Sequence, residues 1–202
     1  MPDFHIQLYR NLWSSLLLWL EQADDFLTQI TRHQNEVKYM SASLQYSNYS
    51  GHAAFAIPYE ILKAENSIQE LYTKSCQSDL NNYEKLCAAG ISHDAAGYAT
   101  PQGLRNVLII SATPYQWKHM IGQRTCRRNT DETRIVMLQI WEKLYRLSPI
   151  LFAPDLTGPF CQRSSCLEKQ MSCNRSIPKI WTPDKILQSD YPLLVQKRGE
   201  SS

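Results

Sequence analysis

Apolar positions recur at helical spacing from Asp24 onward. In DDFLTQITRHQ, Phe26, Leu27 and Ile30 fall on one face behind an aspartate suited to capping, so a helix is expected with Arg32 and His33 near its end. Ahead of it, LWSSLLLWL (Leu12 to Leu20) is apolar but too short and interrupted to span a bilayer, and reads as core-forming chain. Residues 35–58 hold no sustained period and read as irregular connection. The stretch YEILKAENSIQELYTKSCQSDLNNYEKLCAAG then places Ile61, Leu62, Ile68, Leu71, Tyr72, Leu80, Tyr83, Leu86 and Cys87 mostly on one face. That predicts one long helix, or two broken near Ser78, with Gly90 as the stop. In NVLIISATPYQWKHMIGQR the pattern changes to a β-rich run from Val107 to Ile110, followed by a capping Thr113 and Pro114 at the first helical position. A further helix, capped at Thr130, runs through Ile135, Leu138, Trp141 and Tyr145 and ends before Pro149. From Asp155 the chain is rich in Pro, Ser and Cys and reads as loop, which divides it into a body, 1–150, and a cysteine-containing tail, 151–202.

Composition narrows the class. A chain of 202 residues, 43% hydrophobic and 20% charged, is long enough for one packed core and is neither disordered nor fibrous. A net charge of +2 makes no case for a nucleic-acid polymer or a membrane surface as partner, although Arg124, Arg127 and Arg128 cluster locally. No small-residue cleavage site follows the apolar run, so a cytoplasmic protein is expected. The six cysteines then read as free thiols or metal ligands rather than a disulfide scaffold. His5, His52 and His93 stand alone and read as surface or core residues, while Trp117, Trp141 and Tyr145 fall on helical faces as core.

The chain has no phosphate-cradling glycine loop, no Cys-x-x-Cys and no His-Glu-x-x-His. Arg32 and His33, side by side at a helix end, have a plain reading as partners of the helix dipole. They also have a chemical one: with Arg124 at another helix end, they suit a phosphate or the imide edge of a pyrimidine, which a planar guanidinium matches. Cys161, Cys166 and Cys173 form a second group, which as a metal site needs a fourth ligand, Cys126 or His119, and is otherwise a loop of free thiols.

The run RHQ, eight residues, then Ser43 resembles the signature of flavin-dependent thymidylate synthases, RHR followed by seven or eight residues and Ser, with Gln34 in place of the second arginine. FLTQIT ahead of it is similar to that family's helix, Gln29 matching its glutamine. AAGISHDAAGYATP is similar to GVPxEDARxxLP, TPYQWKHMIGQR to NxRSLxNFLxLR with Arg124 on the final arginine, and NTDETR to AQWEIR, keeping Glu132 and Arg134. The cysteine tail resembles an extension found in part of the family. The resemblance implies an α+β fold of helices packed on a small antiparallel sheet, and a homotetramer with each active site built from several subunits. It implies reductive methylation of dUMP with methylenetetrahydrofolate, reduced FAD and NADPH, without an enzyme nucleophile. Arg124 takes the catalytic position against the uracil; Gln29, Arg32, Ser43 and Gln45 lie at nucleotide positions; Arg32, His33, Gln34, Thr113, Tyr115 and His119 lie at flavin positions. There are departures: Gln45, Gly97, Thr113 and Tyr115 replace the family's SxRY arginine, its DAR arginine, and the Asn and Arg of NxRS. MPDFHIQLYRNLW has no counterpart of the family's His-containing N-terminal segment. These departures leave open an inactive oligomeric scaffold, or an enzyme for another pyrimidine nucleotide such as UMP.

Overall fold

The computed structural model describes residues 7–10, 16–42, 47–51, 54–163, 166–175 and 177–199; Ser43, Gln45, His5 and His52 lie outside the described residues. Four strands form one antiparallel sheet: β1 (Gln7–Arg10), β2 (Leu16–Ala23), β3 (Val37–Ser41) and β4 (Arg105–Ala112), in the order β1-β2-β4-β3. The helices are α1 (Asp24–Ile30), α2 (Tyr59–Lys63), α3 (Asn66–Ala88), α4 (His93–Gly97), α5 (Pro114–Arg124), α6 (Asp131–Leu147), α7 (Phe160–Arg163), α8 (Pro183–Asp190) and α9 (Pro192–Gly199). Helices on a small antiparallel sheet are the α+β arrangement that the resemblance implies.

β4 alternates as a strand between two neighbours should, burying Asn106, Leu108, Ile110 and Ala112 under the helices. α6 is the hub of the core. Every residue from Thr133 to Glu142 is buried, and α1, α2, α5 and α8 all pack on it. A helix buried on every side over ten residues needs such a jacket. Trp117 and Trp141 are fully buried, and Tyr145 packs against the same core.

The connection after Arg32 is not wholly irregular. Val37 and Tyr39 turn inward from β3, which is held by pairing with β4 rather than by its own five residues. The long helical stretch is interrupted at Ala64 and Glu65 rather than near Ser78: both residues are extended, and the Gln69 amide donates to the carbonyls of Leu62 and Ala64 that end α2. Ser78 stays within α3 because its exposed position costs only about 0.5 kcal/mol in helix propensity, while Cys76, Leu80 and Tyr83 are buried around it. Gly90 closes α3 at φ +84°, a conformation that favours glycine.

The tail also carries more helix than its composition suggests. α8 and α9 begin at Pro183 and Pro192, and Ile177, Ile186, Leu187 and Tyr191 join the core. Asp190, at the end of α8 and 2% exposed, pairs with the equally buried Arg134 of α6 and also with Arg127 and Arg175. Arg127 is therefore not a free basic group, and Arg128 faces Glu168 at 3.8 Å. At the other end of the tail, Phe160 rests on Gly122 so closely that a Cβ there meets the ring at 2.7 Å and Arg163 at 2.8 Å.

Candidate active site

Three pieces of backbone converge on Arg124, the last residue of α5. Its Nε donates to His33 Nε2 at 3.0 Å, and its Nη1 donates to Gln29 Oε1 and Asn129 Oδ1, both at 3.1 Å. Gln29 comes from α1 and His33 from the turn that follows it. Asn129 sits in the turn between α5 and α6, where its own amide nitrogen donates to the carbonyls of Gln123 and Cys126. The turn carrying His33 is locked as well: His33 N–H donates to Ile30 O, and the Tyr39 hydroxyl from β3 lies 2.7 Å from both Ile30 O and His33 O. Burial pushes that hydroxyl up to about 12, so it remains a donor at any ordinary pH.

Every one of these acceptors is neutral. A guanidinium never gives up its proton in a protein, so His33 Nε2 must be the acceptor and its ring proton sits on Nδ1. Burial, then Arg124, then His119 bring His33 down from 6.5 to about 4, keeping it uncharged. His33 therefore does not act as a cation on the dipole of α1: the helix ends at Ile30 and has no basic residue in its last turn. Burial, followed by the Arg32 charge, also disfavours the Arg124 cation. Among the described residues no carboxylate pairs with Arg124 and none bonds its Nη2. Arg134 is the opposite case, its charge cancelled inside the core by Asp190. One arginine is neutralised structure; the other is a half-buried cation with unspent charge.

The remaining candidate residues surround this cradle unevenly. Arg32 and Gln34 are exposed beside it. His119, five residues before Arg124 on α5, meets the His33 ring edge-on at 5.9 Å and leans on Phe160. Tyr115 is 76% exposed. The Thr113 hydroxyl is committed within the chain: it accepts from Gln116 N–H as the α5 cap and lies 3.1 Å from Glu36. Gly97 is buried in α4. Asn129 and Tyr39 were not candidates from the sequence. Asn129 opens NTDETR one residue before a helix cap, a signal for a turn but not for what the turn would hold.

A family profile described as thymidylate synthase complementing protein matches residues 23–150. The chain belongs to that family. The matched span contains Gln29, His33, Arg124 and Asn129, so the whole cradle lies inside the family region. The chain is 28% identical to the flavin-dependent thymidylate synthase of Pyrococcus abyssi over 58% of this chain and 49% of that one. It is 29% identical to the enzyme of the same name from Thermococcus onnurineus over 71% of this chain and 60% of that one. It thus spans about half to three-fifths of these curated relatives. The UMP/dUMP methylase PolB of Streptomyces cacaoi, solved with 5-Br dUMP, superposes with a TM-score of 0.58 at 16% identity over 68% of each chain, which shows a shared fold.

The family's flavin can be tested against the groups present. The exposed guanidinium of Arg32 suits a diphosphate, and α5 offers the exposed ring of Tyr115 and, one turn on, the half-buried ring of His119. This donor set fits a flavin dinucleotide, whereas the hydroxyl of Thr113, already bonded on both sides, does not add to it.

Proposed function

We propose that the chain is a flavin-dependent methylase of a pyrimidine nucleoside monophosphate, converting dUMP to dTMP. The observation that carries this reading is the uncompensated charge of Arg124 held by neutral acceptors. Uracil alkylation at C5 requires negative charge to build on the ring, and a fixed cation whose charge is not already cancelled lowers that cost. Methylenetetrahydrofolate gives its carbon to C5 and the C5 proton leaves. The flavin, when bound, supplies the hydride that completes the methyl group, with NADPH as the source of reducing equivalents. Arg124 faces the uracil; Gln29, Arg32, Ser43 and Gln45 contact the nucleotide; His33 fixes the guanidinium plane by accepting from Nε; Arg32, Tyr115 and His119, with Gln34, border the flavin.

A second reading rests on Gly97 and Gln45. The family's phosphate-binding arginines are absent at both positions, and losing a charge-assisted contact costs about 1.5–3 kcal/mol each. On that reading the site takes a different pyrimidine nucleotide, UMP first, or only binds it within an oligomer. Assembly as a homotetramer accords with the outer face of α3, where Leu71 is 66% and Ile68 45% exposed. Sedimentation at micromolar concentration tests it, and a monomer overturns it.

The deciding experiment combines flavin absorbance of the purified protein, titration with dUMP and with UMP, and product analysis with methylenetetrahydrofolate and NADPH. Bound flavin with dTMP formation supports the first reading, and turnover or binding confined to UMP supports the second. Arg124→Ala should abolish turnover while flavin stays bound. A protein that binds neither flavin nor nucleotide overturns both.

A further inference from the structure

Beside the cradle, the turn after α5 and the chain beyond α7 enclose a cavity of about 370 Å³. Its wall carries Cys126, Cys161, Cys166 and Cys173, with Arg127, Arg128 and Arg175 among them. Arg124 and Asn129 border the same space. The other two cysteines, Cys76 and Cys87, lie on α3, and all six are free thiols. The four therefore come from the 125–130 turn, from α7 and from the chain after it, and line one cavity.

We infer that Cys126, Cys161, Cys166 and Cys173 bind one thiophilic divalent ion of the zinc class, as a tetrathiolate site joining the turn after α5 to the tail. His119, the other fourth ligand that the spacing allows, packs between His33 and Phe160 and does not line the cavity. Among the described residues no three His, Cys, Asp or Glu side chains are drawn close enough to hold an ion, so the sulfurs must close inward from the cavity wall as it binds. The balance is simple: four thiols release four protons, and the ion with four thiolates carries two negative charges. Arg128, only loosely engaged with Glu168 at 3.8 Å, supplies cationic N–H donors for that charge. The ion would anchor the turn that presents Asn129 to Arg124, but its binding does not depend on the proposed activity.

The test uses the full chain expressed with zinc in the medium and purified without chelators. Elemental analysis should find close to one zinc per chain, and refilling the chelated protein should release about four protons per ion. Cobalt refilling should give the intense thiolate charge-transfer and tetrahedral bands. Cys126→Ser and Cys166→Ser should lose the ion, whereas Cys87→Ser should keep it. A chain that holds no zinc and takes up neither zinc nor cobalt overturns the inference. So does an ion retained by Cys126→Ser, or alkylation and mass analysis showing these cysteines paired as disulfides. The wild-type cobalt spectrum reports the ligands even where a serine variant fails to fold.

Discussion

Gln29→Glu separates the charge of Arg124 from its position. The substitution keeps the length and volume of the side chain and keeps an oxygen acceptor 3.1 Å from Arg124 Nη1, but makes that acceptor anionic. Two unit charges about 4 Å apart attract by about 4 kcal/mol at an effective dielectric of about 20. Solvent around a half-buried pair removes much of this, leaving about 1.4–2.7 kcal/mol by which the cation is satisfied before substrate arrives. Turnover should fall by roughly ten- to a hundredfold, one factor of ten per 1.4 kcal/mol. Folding stability should stay level or rise, because an ion pair replaces a neutral hydrogen bond. Gln29→Ala is the control: it removes the acceptor, and with it the proposed nucleotide contact that KM reports, yet leaves Arg124 uncompensated, so it should lower kcat less than Gln29→Glu while lowering stability slightly. The assay is steady-state dTMP formation with thermal unfolding on the same preparations. Full activity in a folded Gln29→Glu protein would show that the uncompensated charge of Arg124 plays no part in the reaction.

Asp190→Asn strands Arg134 in the core without its counter-ion and should cost about 3–5 kcal/mol, lowering Tm by roughly 6–20 °C in thermal unfolding; a loss under about 1 kcal/mol would mean that the network is not a tie. His33 makes stability depend on pH: its folded value of about 4 lies below the ordinary 6.5, so between these values the unfolded chain binds the extra proton and stability declines as pH falls. Denaturant titrations from pH 7.5 to 4 should show this slope, and His33→Gln should flatten it. Gly122→Ala puts a methyl group 2.7 Å from the Phe160 ring and should cost about 1–3 kcal/mol, recovered in part by Phe160→Ala in a double-mutant cycle.

What the chain discloses before folding depends on how local the cause is. Thr113-Pro114 announces α5 because a cap and a fixed φ act within one turn, and the structure places both as expected. The same pair at Thr182-Pro183 starts α8, a signal present in the sequence and masked there by the polar composition around it. β3 leaves a weaker trace: five residues alternate, but only pairing with a strand far along the chain makes them one. In the candidate site, Gln29, His33 and Arg124 are legible through family-like motifs and end up within hydrogen-bonding distance of one another. Asn129 escapes such reading because its role follows from the course of a turn. The link among Cys126, Cys161, Cys166 and Cys173 is visible only in part, since spacing offers Cys126 and His119 equally and the packing of Phe160 separates them.

The sheet order also sets a timetable. β2 and β3 both pair with β4 and not with each other, so the N-terminal strands leave the ribosome well before their common partner. At synthesis rates of about 5–20 residues per second, the 81 residues between β2 and β4 take about 4–16 s to arrive. During that interval the apolar run LLLWL has only β1 to pair with, and Gln29 and His33 wait for an arginine not yet made. The nascent chain is thus a client for chaperones in proportion to how slowly codons 24 to 104 are read. Synonymous changes that slow this stretch should lower the soluble yield without altering a single side chain of the finished protein.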